Sequence, residues 1–272
     1  MDSVRSTKSS SGPARLPPAK PAISRLIPGR ATLLAFLVIA ANLAPAALLF
    51  YFVHHFAVDV PFWDEWGAMI PTLQQLDQGK LGWAQLIAQN NDHRLLFPRL
   101  LTLANAGLFH WNRTVEMFVT AGLLVFSAWF LFRFTRDYWG RPTAAVSFIP
   151  VAWMMFTWLQ WENLIWGMQT GFALLEAGAV VAFCLLHRAR TAKGCVTGAA
   201  AAAFVAGFSS AGGLLIWPVG LAQLLLQRVY GTTERKPRAG VFVVWIGAAA
   251  LTGTLFFRGY VTPPVSWPTG TT

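Results

Sequence analysis

"LLFPRLLTLANAGLFHW", residues 95–111, decides how this chain is threaded. It is nearly long and apolar enough to cross a bilayer, which takes about 20 mainly apolar residues. It also contains Arg99 and Asn105, and an Arg at the centre of a span costs about 2.5–3.5 kcal/mol even on the gentler insertion scale. Counting the segment as a span would also reverse the sidedness of every later loop. We therefore expect an interfacial or re-entrant helix.

Around that segment the chain is 55% hydrophobic and only 12% charged over 272 residues. A soluble domain carries about 25% charged residues. The deficit is filled by Leu, Ala, Val, Phe and thirteen Trp, which points to an all-α, polytopic integral membrane protein. Seven spans are expected, at 32–56, 115–134, 144–160, 169–187, 195–209, 213–227 and 240–257. The fifth and sixth are short, and only "SSAG" separates them, which suggests a tight turn near one membrane face. Residues 1–30, rich in Ser, Pro, Arg and Lys, read as a disordered basic tail, and their apolar run comes too late for a signal peptide. The transmembrane domain then covers 31–260, with a large outer loop at 57–114, and an outer C-terminal tail covers 261–272. Mixed periodicity within the loop predicts short helices at 68–78 and 83–89.

The basic residues test this layout. Sixteen Lys or Arg fall in the N-terminal tail and the three loops on its side, against Lys80, Arg94, Arg99, Arg113 and Arg258 on the other. That asymmetry places the N-terminus in the cytoplasm. The net charge of +10 does not indicate nucleic-acid binding, because the basic groups form short clusters and no continuous face. Cys184 and Cys195 flank an expected cytoplasmic loop, so no disulfide is expected.

With that topology Asp59, Asp64, Glu65, Asp77, Asp92 and Glu162 all lie on the outer side. Three polar groups stand at the outer ends of apolar segments: "FWDEW" (62–66), "NNDHRLLFPRL" (90–100) and "WENLIWGMQ" (161–169). Folding the bundle would gather them at one cavity mouth. Asp64 or Glu65, held between Trp63 and Trp66, could take a proton from an acceptor hydroxyl as general base. His93, Arg94 and Arg99 could hold a lipid-linked phosphate, since Arg offers a planar fork of donors to phosphate oxygens. Glu162 and Gln169 could orient an acceptor, and Asp64 and Glu162 could share a divalent metal ion. Each group also has a plainer reading. Trp is enriched at membrane interfaces whatever the function, "DHR" makes an ordinary cap with local ion pairs, and Glu162 suits a polar turn. Glu176, seven residues into the fourth span, stands apart as an intramembrane acid.

This pattern resembles the membrane-embedded glycosyltransferases of the GT-C superfamily. Those enzymes begin with a cytoplasmic N-terminus and one span. A large outer loop with membrane-parallel helices follows, with an acidic residue or pair just after the span, here Asp64 and Glu65 in "PFWDEW". "NNDHRLLFPRLL" (90–101) is similar to a later His-Pro-type motif, with His93 and Pro98-Arg99 separated. Glu162 matches a second acidic site in the next outer loop. The resemblance implies transfer of a sugar from a polyprenyl-phosphate donor to an outer-face acceptor in a bacterial inner (plasma) membrane. Such enzymes usually have more spans and many carry an outer C-terminal domain, so the resemblance leaves three forms open: the shared seven-span module alone, a truncated product, or a degenerate relative. The rival expectation is a non-catalytic membrane protein, such as a transport or flippase component or an assembly partner.

Overall fold

The computed structural model describes residues 28–189, 193–231 and 236–263. Most of the expected N-terminal tail and residues 264–272 lie outside the described residues. Two compact units divide the chain, residues 1–37 and 38–272; the described part of the first holds the opening turns of the first helix, and the cores and sites below belong to the second.

In chain order the helices are α1 (Pro28–Phe56), α2 (Glu65–Ala68), α3 (Ile70–Asp77), α4 (Trp83–Leu86), α5 (Leu96–Phe109), α6 (Arg113–Trp139), α7 (Arg141–Met155), α8 (Trp161–Ile165), α9 (Thr170–Arg188), α10 (Lys193–Gly207), α11 (Ile216–Tyr230) and α12 (Ala239–Phe257). A two-residue ladder, β1 (Gln89–Asn90) with β2 (His93–Arg94), interrupts the all-α pattern; Gln89 pairs with Arg94 and Asn90 with His93. Its turn places Asn91 at φ 48°, a left-handed conformation that Asn tolerates better than most residues.

Among the described residues, six helical stretches are long and apolar enough to cross a membrane: Gly29–Phe56, Arg113–Trp139, Arg141–Ile165, Gly167–Arg188, Ala211–Tyr230 and Ala239–Phe257. Only 11–44% of each stretch is buried within the protein. Helices that are apolar all round yet unburied need a hydrocarbon surrounding, so this is a polytopic membrane protein.

The expected fifth span is the exception. α10 forms, but its 15 residues reach about 22 Å at 1.5 Å per residue, short of the roughly 30 Å hydrocarbon core. It still returns the chain to the end of the bundle where α11 begins. It does so pressed against α9: a Cβ on Gly178 would sit 2.7 Å from Ala202 O and 2.8 Å from Ala206 Cβ. Small residues are what allow helix backbones this close where no hydrophobic drive exists between helices. The expected span at 144–160 also differs, because α7 stops at Met155 and the chain then breaks into a 3-10 turn and α8.

Among the described residues, the two larger of the apolar cores sit within the bundle. One joins α9, α10, α11 and α12 around Leu186, Trp217, Leu224 and Trp245, with the Trp245 indole donating to Trp217 O at 3.0 Å. The other joins α1, α6 and α7 around Leu49, Val53, Leu124 and Phe148. Pro45 inside α1 has no N–H to offer Ala41 O, which accepts instead from the Trp153 indole at 3.0 Å. A freed carbonyl at membrane depth must find such a partner.

The deciding segment forms α5, and it is amphipathic in reverse. Arg99, Thr102 and Asn105, three residues apart, are buried, while Leu108 and Phe109 are exposed. These polar side chains face protein beside Leu96 and Pro98, while Leu100, Leu108 and Phe109 face outward, as suits a helix lying at a membrane boundary. Asn112 caps α6, accepting from Thr114 N at 2.9 Å.

Candidate functional site

The ends of α1, α6, α9, α10 and α12 meet the segment 57–112 at one end of the bundle, here termed the loop end. Asp64 and Glu65 part company there. Glu65 is 1% exposed, and its carboxylate accepts from the Arg113 guanidinium, from Phe62 N at 3.0 Å and from Met168 N at 2.8 Å. Arg113, also 1% exposed, pairs with Glu116 at 2.8 Å. Asn105 donates to Glu116 at 3.0 Å, and Arg113 N donates to Asp59 at 2.6 Å. Gly167 completes this clamp, since any Cβ there would collide with the Arg113 guanidinium. The clamp fastens the loop after α1 to the start of α6 and to the turn before α9. Glu65 therefore serves as a structural counter-ion, and removing one partner of such a buried pair costs about 3–5 kcal/mol.

Asp64 instead is exposed and lines a hollow of about 180 Å³ with Asn91, His93, Gln169, Ser209 and Ser210, walled by Trp166 and Phe172. Asn91 Nδ2 lies 3.5 Å from the Asp64 carboxylate. Ser209 and Ser210, in the turn between α10 and α11, are 1% and 3% exposed. Nδ1 of His93 accepts from Ala211 N at 3.1 Å, which puts the neutral ring's proton on Nε2. Burial pushes His93 below its ordinary value of 6.5, against the upward pull of Asp92 and Asp64. Neutral pH thus leaves an uncharged imidazole able to donate from Nε2, beside a carboxylate.

Of the residues singled out by sequence, Asp64, His93 and Gln169 come together here. Glu162 does not: it is exposed and lines a separate hollow with Phe56, Phe62 and Trp161. Asp64 and Glu162 line different hollows, and among the described residues no group of three or more His, Cys, Asp or Glu could hold a metal ion.

Arg94 and Arg99 are buried and absent from the lining of the Asp64 hollow. Arg94 donates to the carbonyls of Phe256, Ile87 and Arg258, so it ties the His93 hairpin to the exposed carbonyls that end α12. Arg99 donates to Leu86 O at 2.9 Å and Ala88 O at 2.6 Å, and burial lowers it to about 10, still charged at neutral pH. Gln89 exchanges two hydrogen bonds with the Val261 backbone, and the Tyr260 hydroxyl donates to Asp92 at 3.1 Å. Together these contacts hold the hairpin and the end of α12 as one piece.

Ser209 and Ser210 carry no sequence signal beyond the turn that "SSAG" suggests, and Asn91 has no motif of its own. Arg113 was counted only as a loop charge. No protein-family model, curated protein or solved structure matches this chain.

Proposed function

We propose that the chain is a membrane glycosyltransferase that moves a sugar from a polyprenyl-phosphate donor to an acceptor at the outer face, with the loop end facing outwards. The proposal rests on the resemblance in layout and on one observation: Asp64, a carboxylate of the loop after α1 that takes part in no ion pair among the described residues, opens into a polar hollow beside a neutral His93. In this reading Asp64 takes the proton of the acceptor hydroxyl as its oxygen bonds to the anomeric carbon. The bond from that carbon to the phosphate oxygen breaks, and the polyprenyl phosphate leaves with the electron pair. His93 Nε2–H, with Asn91 and the serines, would hydrogen-bond the phosphate oxygens. Gln169 would orient the acceptor. Arg94 and Arg99 become positioning residues acting through backbone carbonyls, and Glu65 leaves the catalytic set.

The test is transfer from a synthetic polyprenyl-phosphate sugar by the purified protein. Asp64→Asn should lower the rate about 10²–10⁴-fold, the range for loss of a general base, with folding intact. A rate equal to wild type would remove Asp64 from the chemistry.

A further inference from the structure

A different hollow lies along α9 where it faces α6 and α11. It measures about 750 Å³, within the roughly 300–1,000 Å³ of small-molecule pockets. Its walls are apolar and aromatic, chiefly Leu131, Phe134, Phe172, Val180 and Phe183, with polar oxygens only from Glu176 and Gln223. Glu176 sits six residues into α9, about 9 Å along the axis from Thr170, in a helix apolar enough to span. Among the described residues its carboxyl has no hydrogen-bond or ion-pair partner. Gln223 directs its Nε2 to Phe183 O at 3.0 Å, leaving Oε1 as an acceptor.

The chemistry of this lining is one-sided. It offers a carboxylate, an amide oxygen and three phenyl rings, and it presents no cation and no spare strong donor. The charged groups on the packed elements are outside the lining: Arg113 and Glu116 in the clamp, Arg133, Arg136 and Asp137 in the last turns of α6, Arg99 on α5, Arg188 at the end of α9 and Arg228 at the end of α11, while the His187 ring packs edge-on against the Phe134 wall at 5.0 Å. Among described titratable side chains only Cys184 shares the lining with Glu176. A phosphate or another anion would find nothing to bind. An ionised carboxylate at such depth is costly without a counter-charge, and a cation over an aromatic face gains further attraction.

We propose that this hollow binds a lipophilic cation, with Glu176 as its counter-ion, Phe134, Phe172 and Phe183 as its aromatic walls and Gln223 Oε1 as an acceptor. A proton and the cation compete for one carboxylate. When the cation seats, the carboxyl's proton passes to water, so the hollow stays neutral in both states. The site is independent of transfer chemistry at the loop end and gives the chain a ligand of its own within the bilayer.

The experiment is equilibrium dialysis of radiolabelled tetraphenylphosphonium against the full chain in detergent, at pH 8 and pH 5. Saturable binding is expected at pH 8, weakened at least about tenfold at pH 5 and in Glu176→Gln at pH 8, because each change removes the counter-charge. Binding that does not saturate, or that is equal in wild type and a monodisperse Glu176→Gln, would overturn the proposal in favour of simple partition into apolar surface. Should Glu176→Gln not fold, the wild-type comparison decides: equal binding at the two pH values overturns the proposal.

Discussion

Asp64 and Glu65 are neighbours in sequence with opposite surroundings. Glu65 turns inward to a buried guanidinium and two backbone N–H groups, while the exposed Asp64 faces an open hollow with an amide at 3.5 Å. The difference shows why a paired acidic motif is a poor guide to chemistry. A carboxylate that neutralises a buried Arg is fixed by that duty, and only its neighbour keeps lone pairs for a ligand. The clamp supplies rigidity, and the hollow next to it inherits the position.

The comparison breaks most readily at Arg113. Arg113→Ala strands Glu65 and Glu116 in the interior and should cost about 3–5 kcal/mol, read as a large fall in unfolding temperature or a loss of monodisperse protein. A near-normal unfolding temperature would mean the clamp holds nothing. Arg94→Ala comes next, at about 1.5–3 kcal/mol for hydrogen bonds from a charged donor. Because the hairpin carries His93, this variant should also loosen the hollow, and protection of the amides of residues 89–94 in hydrogen exchange should fall before that of α6.

The smallest effect sharpens the hollow's side of the comparison. Burial holds His93 below 6.5, so below that pH the unfolded chain takes up a proton that the folded chain resists. The His93 contribution is complete above pH 6.5 and is lost as pH falls beneath it. Protonation also removes the Nδ1 acceptor that Ala211 N uses. His93→Gln should flatten the stability profile between neutral pH and mild acid; an unchanged slope would assign the acid sensitivity to another group.

The all-α, multi-span architecture was legible because apolar length is a local property of the sequence. The same holds for α5, whose Arg99 and Asn105 mark a helix unsuited to spanning. α10 misled because "GAAAAAFVAG" is apolar enough to span but gives out after fifteen residues. The site was legible in part. Asp64, His93 and Gln169 sit at helix or hairpin ends, where topology alone brings them together. Glu65 finding Arg113, 48 residues away, is a tertiary fact with no local signal. The same is true of Arg94 and Arg99, since an arginine that binds carbonyls reads like one that binds phosphate.

The most direct test compares thermal unfolding of Asp64→Asn and Glu65→Gln, purified in the same detergent. Glu65→Gln should lose several kcal/mol as Arg113 loses a charged partner, and Asp64→Asn should stay within about 0.5 kcal/mol of wild type as an exposed substitution. Equal losses, or a larger loss for Asp64→Asn, would contradict the division between the residue that holds the fold and the one left for a ligand.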